Sequence, residues 1–118
     1  MITAIVGCRE LMGYSYADFC TCIPQGISHI ISGGATGIDS FARRYAAEHS
    51  IAYTEIRPNY GLFPPRQAPI IRNQEIVRRS EQVLAFWDGR SRGTRNVIAL
   101  CRQLEKPYII YDITGSDK

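Results

Sequence analysis

One stretch constrains this chain more than any other: Ile30-Ile31-Ser32-Gly33-Gly34-Ala35-Thr36-Gly37-Ile38-Asp39, an apolar run that breaks into glycines and resumes as a helix. The β-branched pair before the break reads as a buried strand, and residues 41–48 continue with helix-forming types, so the segment is strand, tight loop, helix. Gly33 and Gly34 lack a Cβ, which lets the backbone take positive φ and lets a ligand approach the amides. The helix start beyond them leaves N–H groups unpaired and carries a partial positive charge, a combination suited to an anion. The same residues also have a purely structural reading. Thr36 and Asp39 are spaced as a capping box, with Asp in place of the usual Glu or Gln, and any short strand-to-helix connection favours glycine.

The rest of the chain repeats the pattern. Apolar or alternating runs at 2–6, 28–32, 51–57, 82–87 and 108–111 read as strands, the third nearer a sheet edge because it alternates and ends at Pro58. Between them lie helical segments: one opening with a Ser15/Asp18 capping pattern and stopping near Pro24, one from the glycine loop to about 49, and one at 70–80. The helix at 70–80 offers Ile70, Ile71, Ile76 and Val77 as its inner face. A last helix, ended by Lys106-Pro107, buries Val97, Ile98, Cys101 and Leu104. At 118 residues this is one domain spanning 1–118. Strands alternating with helices imply an α/β, three-layer Rossmann-like fold with a parallel five-stranded sheet. In that architecture the loops Gly7-Cys8-Arg9, 32–37 and 88–94 converge at the carboxyl ends of the strands, where such folds bind ligands. The long irregular segment 58–69 carries Tyr60 and Phe63, which argue for order, and it is placed to cover a ligand. Residues 115–118 are expected to fray.

Composition narrows the function. With 45% hydrophobic residues the chain can bury a core without metal or disulfide. No apolar run approaches the ~18 residues of a membrane span, and the N-terminus has no signal-like region, so the expectation is a cytoplasmic protein without a membrane partner. Cys8, Cys20, Cys22 and Cys101 show no C-x-x-C spacing, and His29 and His49 lie far from them in sequence. No metal site is expected, and the thiols read as reduced. The net charge of +3 is mild, too low a density of Lys and Arg for a dedicated DNA binder. The bunched arginines, Arg72, Arg78 and Arg79, then Arg90, Arg92, Arg95 and Arg102, suit a small anionic ligand better than nucleic acid. No cofactor is called for. Glu55 lies about 20 residues past the glycine loop, where a dinucleotide fold places its ribose-binding acid, but the loop is not G-x-G-x-x-G and follows the second strand, which argues against NAD.

The three turns together resemble the SLOG superfamily of Rossmann-like domains, in particular its small single-domain bacterial branch related to YspA and cpYpsA. The Gly-Ser-Arg of that family stands here as Gly7-Cys8-Arg9, a thiol replacing the hydroxyl. Its Gly-Gly-Ala-x-Gly-x-Asp run is matched by Gly33, Gly34, Ala35, Gly37 and Asp39. Its Arg-Asn pair is matched by Arg72-Asn73, and its Trp-Asp-Gly and Ser-x-Gly-Thr elements by Trp87, Asp88, Gly89, Ser91, Gly93 and Thr94.

The resemblance covers nearly the whole chain and implies a pocket for a nucleotide or nucleotide-derived ligand. In that reading Gly33, Gly34, Ala35 and Thr36, with Ser32 before them, hold phosphate, and Arg9 and Arg72 add charge. Gly93 and Thr94 supply further amides and a hydroxyl, while Asp88 and Asn73 contact sugar or base. The superfamily also includes LOG phosphoribohydrolases, whose Pro-Gly-Gly-x-Gly-Thr-x-x-Glu signature places a catalytic glutamate where this chain has Val97, and the DNA-binding protein DprA. If the chain is an N-glycosidic hydrolase of nucleoside monophosphates, Asp39 or Asp88 must replace that acid. Both also have structural readings, at a helix start and capping a turn. A homodimer through the helices at 70–80 and 93–105 is implied by resemblance alone.

Overall fold

A computed structural model describes residues 1–115. The apolar runs become five strands, β1 (Ile2–Gly7), β2 (His29–Ser32), β3 (Ala52–Glu55), β4 (Gln82–Trp87) and β5 (Tyr108–Asp112). The intervening helices are α1 (Tyr16–Cys22), α2 (Ile38–Glu48), α3 (Ala68–Arg79) and α4 (Arg92–Gln103). The sheet order is β3-β2-β1-β4-β5 and every pairing is parallel. With helices on both faces this is a three-layer Rossmann-like α/β fold.

Strand alternation divides the core into two. Ala4 and Val6 of β1 with Val83 and Ala85 of β4 pack against Ile76 and Val77 of α3 and Val97 and Cys101 of α4. The residues between them, Ile5, Leu84 and Phe86, face Phe19 of α1 and Ile38, Ala42 and Ala46 of α2. β1 and β4 are covered on both sides, which is why they read as continuous apolar runs. β3 and β5 form the edges and are only partly covered.

Helix ends follow local chemistry, with corrections. Ser15 caps α1 by accepting the Asp18 amide at 3.0 Å. α3 starts earlier than its apolar pattern because Pro69 fits the first turn, where its missing N–H has no intrahelical acceptor. Its buried face is Ala68, Asn73, Ile76 and Val77, whereas Ile70 is 44% exposed. Leu104 is 43% exposed rather than buried, because α4 ends at Gln103 and Leu104 is already its C-cap. The expected frayed tail lies outside the described residues from 116 onward. No helix among the described residues is long and apolar enough to cross a membrane.

Candidate functional site

β1 and β4 are neighbours in the sheet, but the chain leaves β1 toward the face of α1 and leaves β4 toward the face of α4. Such a reversal opens a crevice at the carboxyl ends of the strands. A cavity of about 370 Å³ occupies it, within the ~300–1,000 Å³ range of small-molecule sites. Its floor is apolar, made by Val6, Ile76 and Val97. Its walls come from four segments: Gly7, Cys8, Arg9 and Glu10 after β1; Gly33, Ala35 and Asp39 after β2; Arg72 and Asn73 on α3; and Asp88, Ser91, Arg92, Gly93 and Thr94 after β4.

The first loop is built for close approach. A Cβ on Gly7 would lie 2.6 Å from the Phe86 carbonyl oxygen and 2.7 Å from the Ile38 Cβ, so only glycine lets β1, β4 and α2 meet there. Cys8 donates its amide to the Phe86 carbonyl at 3.2 Å, and its sulfur accepts the Asp88 amide at 3.3 Å. Burial pushes the thiol above its ordinary pKa. Cys8 therefore joins two loops as a neutral group, the opposite of the thiolate a nucleophile requires.

The glycine loop uses most of its polar groups internally. Gly37, at φ +72°, is the N-cap of α2, and the next amide, Ile38, donates to the Cys8 carbonyl at 3.1 Å. The Thr36/Asp39 capping box does not form, because no side chain caps α2 and the Asp39 Oδ2 instead accepts the Ala35 amide at 3.1 Å. Gly34 takes φ +76°, and a Cβ there would meet the Glu55 side chain at 2.6 Å. Neither Gly34 nor Thr36 lines the cavity; nor do Ser32, buried beneath the loop, and Trp87, whose indole N–H donates to the Ser91 carbonyl at 3.1 Å.

Arg72 is fixed on the opposite wall. Its Nε donates to Asn73 Oδ1 at 2.8 Å, and its Nη1 to the carbonyls of Gly33 at 2.9 Å and Ile56 at 3.4 Å. Asn73 passes the constraint on, donating from Nδ2 to Asn96 Oδ1 at 3.0 Å. Three of the guanidinium's contacts are thus with neutral acceptors, and among the described residues it has no carboxylate at ion-pair distance. Burial lowers its pKa, the Asp39 charge raises it and Arg9 opposes it, which places a second guanidinium within electrostatic reach.

The two carboxylates singled out in the sequence differ in environment. Asp39 is 6% exposed, and its pKa is pushed up by burial despite the Ala35 amide, Arg72 and Ser32. Its Oδ1 has no hydrogen-bond partner. Asp88 accepts the amides of Arg90 and Ser91 through Oδ1, both at 2.8 Å, and these bonds hold its pKa below the usual carboxylate value. It organises the turn that delivers α4. That helix begins without a side-chain cap, and Gly93 and Thr94 in its first turn border the cavity. Its leading N–H groups lie beyond the reach of intrahelical acceptors.

Two contributors to the cavity, Glu10 and the apolar floor, were not singled out in the sequence, and Arg92 was named only among the bunched arginines. Glu10 directly follows the Gly-Cys-Arg turn and Arg92 opens α4, positions that the turn pattern itself marks. The apolar floor, by contrast, is indistinguishable in sequence from ordinary core. Comparison with family models, with curated proteins and with solved structures gave no match.

Proposed function

We propose that the cavity binds a nucleotide or nucleotide-derived anion, and that the chain is a nucleotide-binding module of the SLOG type. The observation that carries this is Arg72: a guanidinium held in place by Asn73, Gly33 and Ile56, lining the cavity without an ion-pair partner among the described residues. Arg9 lies close enough to oppose its charge. Two like charges beside one cavity favour an anion, and arginine's fork suits phosphate. Across the cavity, the uncapped start of α4 offers the amides of Gly93 and Thr94, with the hydroxyls of Ser91 and Thr94 beside them. The phosphate then sits between α4 and the arginines rather than at α2, whose leading amide already has the Cys8 carbonyl. The apolar floor accepts the less polar part of the ligand. The test is a thermal-shift panel of nucleotides with native mass spectrometry on protein purified without denaturation. Stabilisation that Arg72→Gln removes supports the reading; no stabilisation by any nucleotide and no copurifying small molecule overturns it.

A second reading, hydrolysis of an N-glycosidic bond, has one observation in its favour. Asp39 borders the cavity and burial holds its carboxyl toward the protonated form, the condition of a general acid. Release of free base from nucleoside monophosphates that disappears in Asp39→Asn would support it. Absence of release from every monophosphate tested would remove it.

A further inference from the structure

Arg72 and the opposing amides of Gly93 and Thr94 stand on different helices, α3 and α4. A chain of side-chain hydrogen bonds joins the two. Arg72 donates from Nε to Asn73 Oδ1 at 2.8 Å, and Asn73 donates from Nδ2 to Asn96 Oδ1 at 3.0 Å. The direction of this chain is forced: a guanidinium has donors only, so Asn73 must turn its oxygen to Arg72, which leaves its nitrogen for Asn96 and obliges Asn96 to present an oxygen. Asn73 is only 6% exposed, so its amide has little water to turn to. Without an acceptor at Asn96 the buried Nδ2 is unsatisfied, and half a turn of the Asn73 amide sets a donor against the Arg72 Nε. Asn96 does not itself line the cavity, but it lies on the helix that carries Gly93 and Thr94.

We propose that Asn96 is a positioning residue for the bound anion, acting through Asn73 to set the Arg72 guanidinium against the start of α4; the proposal rests on the nucleotide reading above. The relay does two things at once. It locks the Asn73 amide in the orientation that Arg72 Nε needs, and it ties the place of the arginine to the helix with the opposing amides. Because Nη1 is held by the Gly33 and Ile56 carbonyls, Nη2 is the end of the fork left without a protein acceptor among the described residues. α3 and α4 already share an apolar contact through Ile76, Val77, Val97 and Cys101, so the amide pair is not needed merely to bring them together. What it adds is orientation, which apolar contact does not supply.

Binding of nucleoside mono-, di- and triphosphates is measured by calorimetry for the wild type and Asn96→Leu. In the ligand-free proteins, and in Asn96→Asp, exchange of the Arg72 Nε proton with water is followed by NMR, its signal being identified by its disappearance in Arg72→Gln. The expected result is that Asn96→Leu binds roughly tenfold more weakly, as for a residue coupled within one hydrogen-bond network, and loses the slow exchange of the Arg72 Nε proton. Asn96→Asp, which keeps an acceptor oxygen, should retain that slow exchange. Unchanged affinity in Asn96→Leu, weaker affinity with Arg72 exchange as in the wild type, or loss of slow exchange in Asn96→Asp as well overturns the role of Asn96 and leaves the nucleotide reading standing. Failure of the wild type to bind any of these probes overturns both. A dispersed NMR spectrum is the control for folding. If Asn96→Leu does not fold, Asn96→Ala removes the same acceptor with a smaller side chain and is read in the same way.

Discussion

Adjacent glycines have different reasons to be glycine. Gly34 needs a positive φ and has the Glu55 side chain where a Cβ would go. Gly34→Val should therefore destabilise the domain by ~1–3 kcal/mol, read from the denaturation midpoint, irrespective of ligand. At Gly33 no left-handed backbone is involved, and a Cβ would instead meet the Arg72 Nη1 at 2.6 Å. Gly33→Ala should displace that guanidinium from the Gly33 carbonyl, weakening phosphate binding while changing the melting temperature less than Gly34→Val does. Asp39 gives a pH signature. Its folded pKa is raised by burial, so its contribution to stability is complete below the unfolded carboxylate pKa and is lost as pH rises through the folded one. Asp39→Asn removes that loss, and chemical denaturation at pH 4 and pH 7 should show the variant gaining on the wild type at the higher pH.

Of the helices that start at the carboxyl edge of the sheet, α2 and α4 have opposite fates. α2 abuts the first loop so closely that a Cβ on Gly37 would collide with the carbonyl oxygens of Cys8 and Arg9, and its leading amide has a protein acceptor. α4 is presented by a turn that Asp88 ties together, and its first turn borders the cavity. Asp88→Ala should cost about 1 kcal/mol in stability, as loss of a capping-type carboxylate does. Asp88→Asn, which keeps the acceptor oxygen, should retain most of it. The carboxyl's folded pKa is depressed, so the wild-type advantage over Asp88→Ala should be present at neutral pH and fade as pH falls through that depressed value. A chemical-denaturation series across acidic pH checks both the size and the sign.

The whole molecule is a sandwich whose two cores meet through the sheet. On the face of α1 and α2, Phe19 is fully buried and its ring lies 4.9 Å from that of Phe86 and 5.5 Å from that of Phe41. α1 is only 7 residues long, so this one side chain does most to hold it down. Phe19→Ala should cost about 3–5 kcal/mol, a large part of the ~5–15 kcal/mol that holds a domain folded. Equilibrium unfolding should show a markedly lower midpoint. The mild charge of the molecule is distributed with its arginines largely on helices, and the two ion pairs among the described residues, Arg44 with Glu48 and Arg57 with Glu55, are exposed or partly so. Such pairs contribute little, and stability should depend only weakly on salt.

The periodicity of the sequence determined the order and type of the elements, because each buried strand is an apolar run and most connections are marked by Gly, Pro or a capping pair. It also determined that the loops after Gly7, Ser32 and Trp87 would share one edge, since a parallel sheet leaves them no other place. Tertiary structure decided which loop faces the cavity with open amides. Thr36 and Asp39 are spaced as a capping box, yet the backbone of Cys8, distant in sequence, reaches the start of α2 first and leaves Asp39 to serve the Ala35 amide. Ile70 and Leu104 likewise fit an inward-facing pattern, but whether an apolar residue is covered depends on where the helix stops and what packs across from it. Local spacing records what a segment can do alone; the competition for each amide and each patch of core is settled by contacts between segments that only the folded chain brings together.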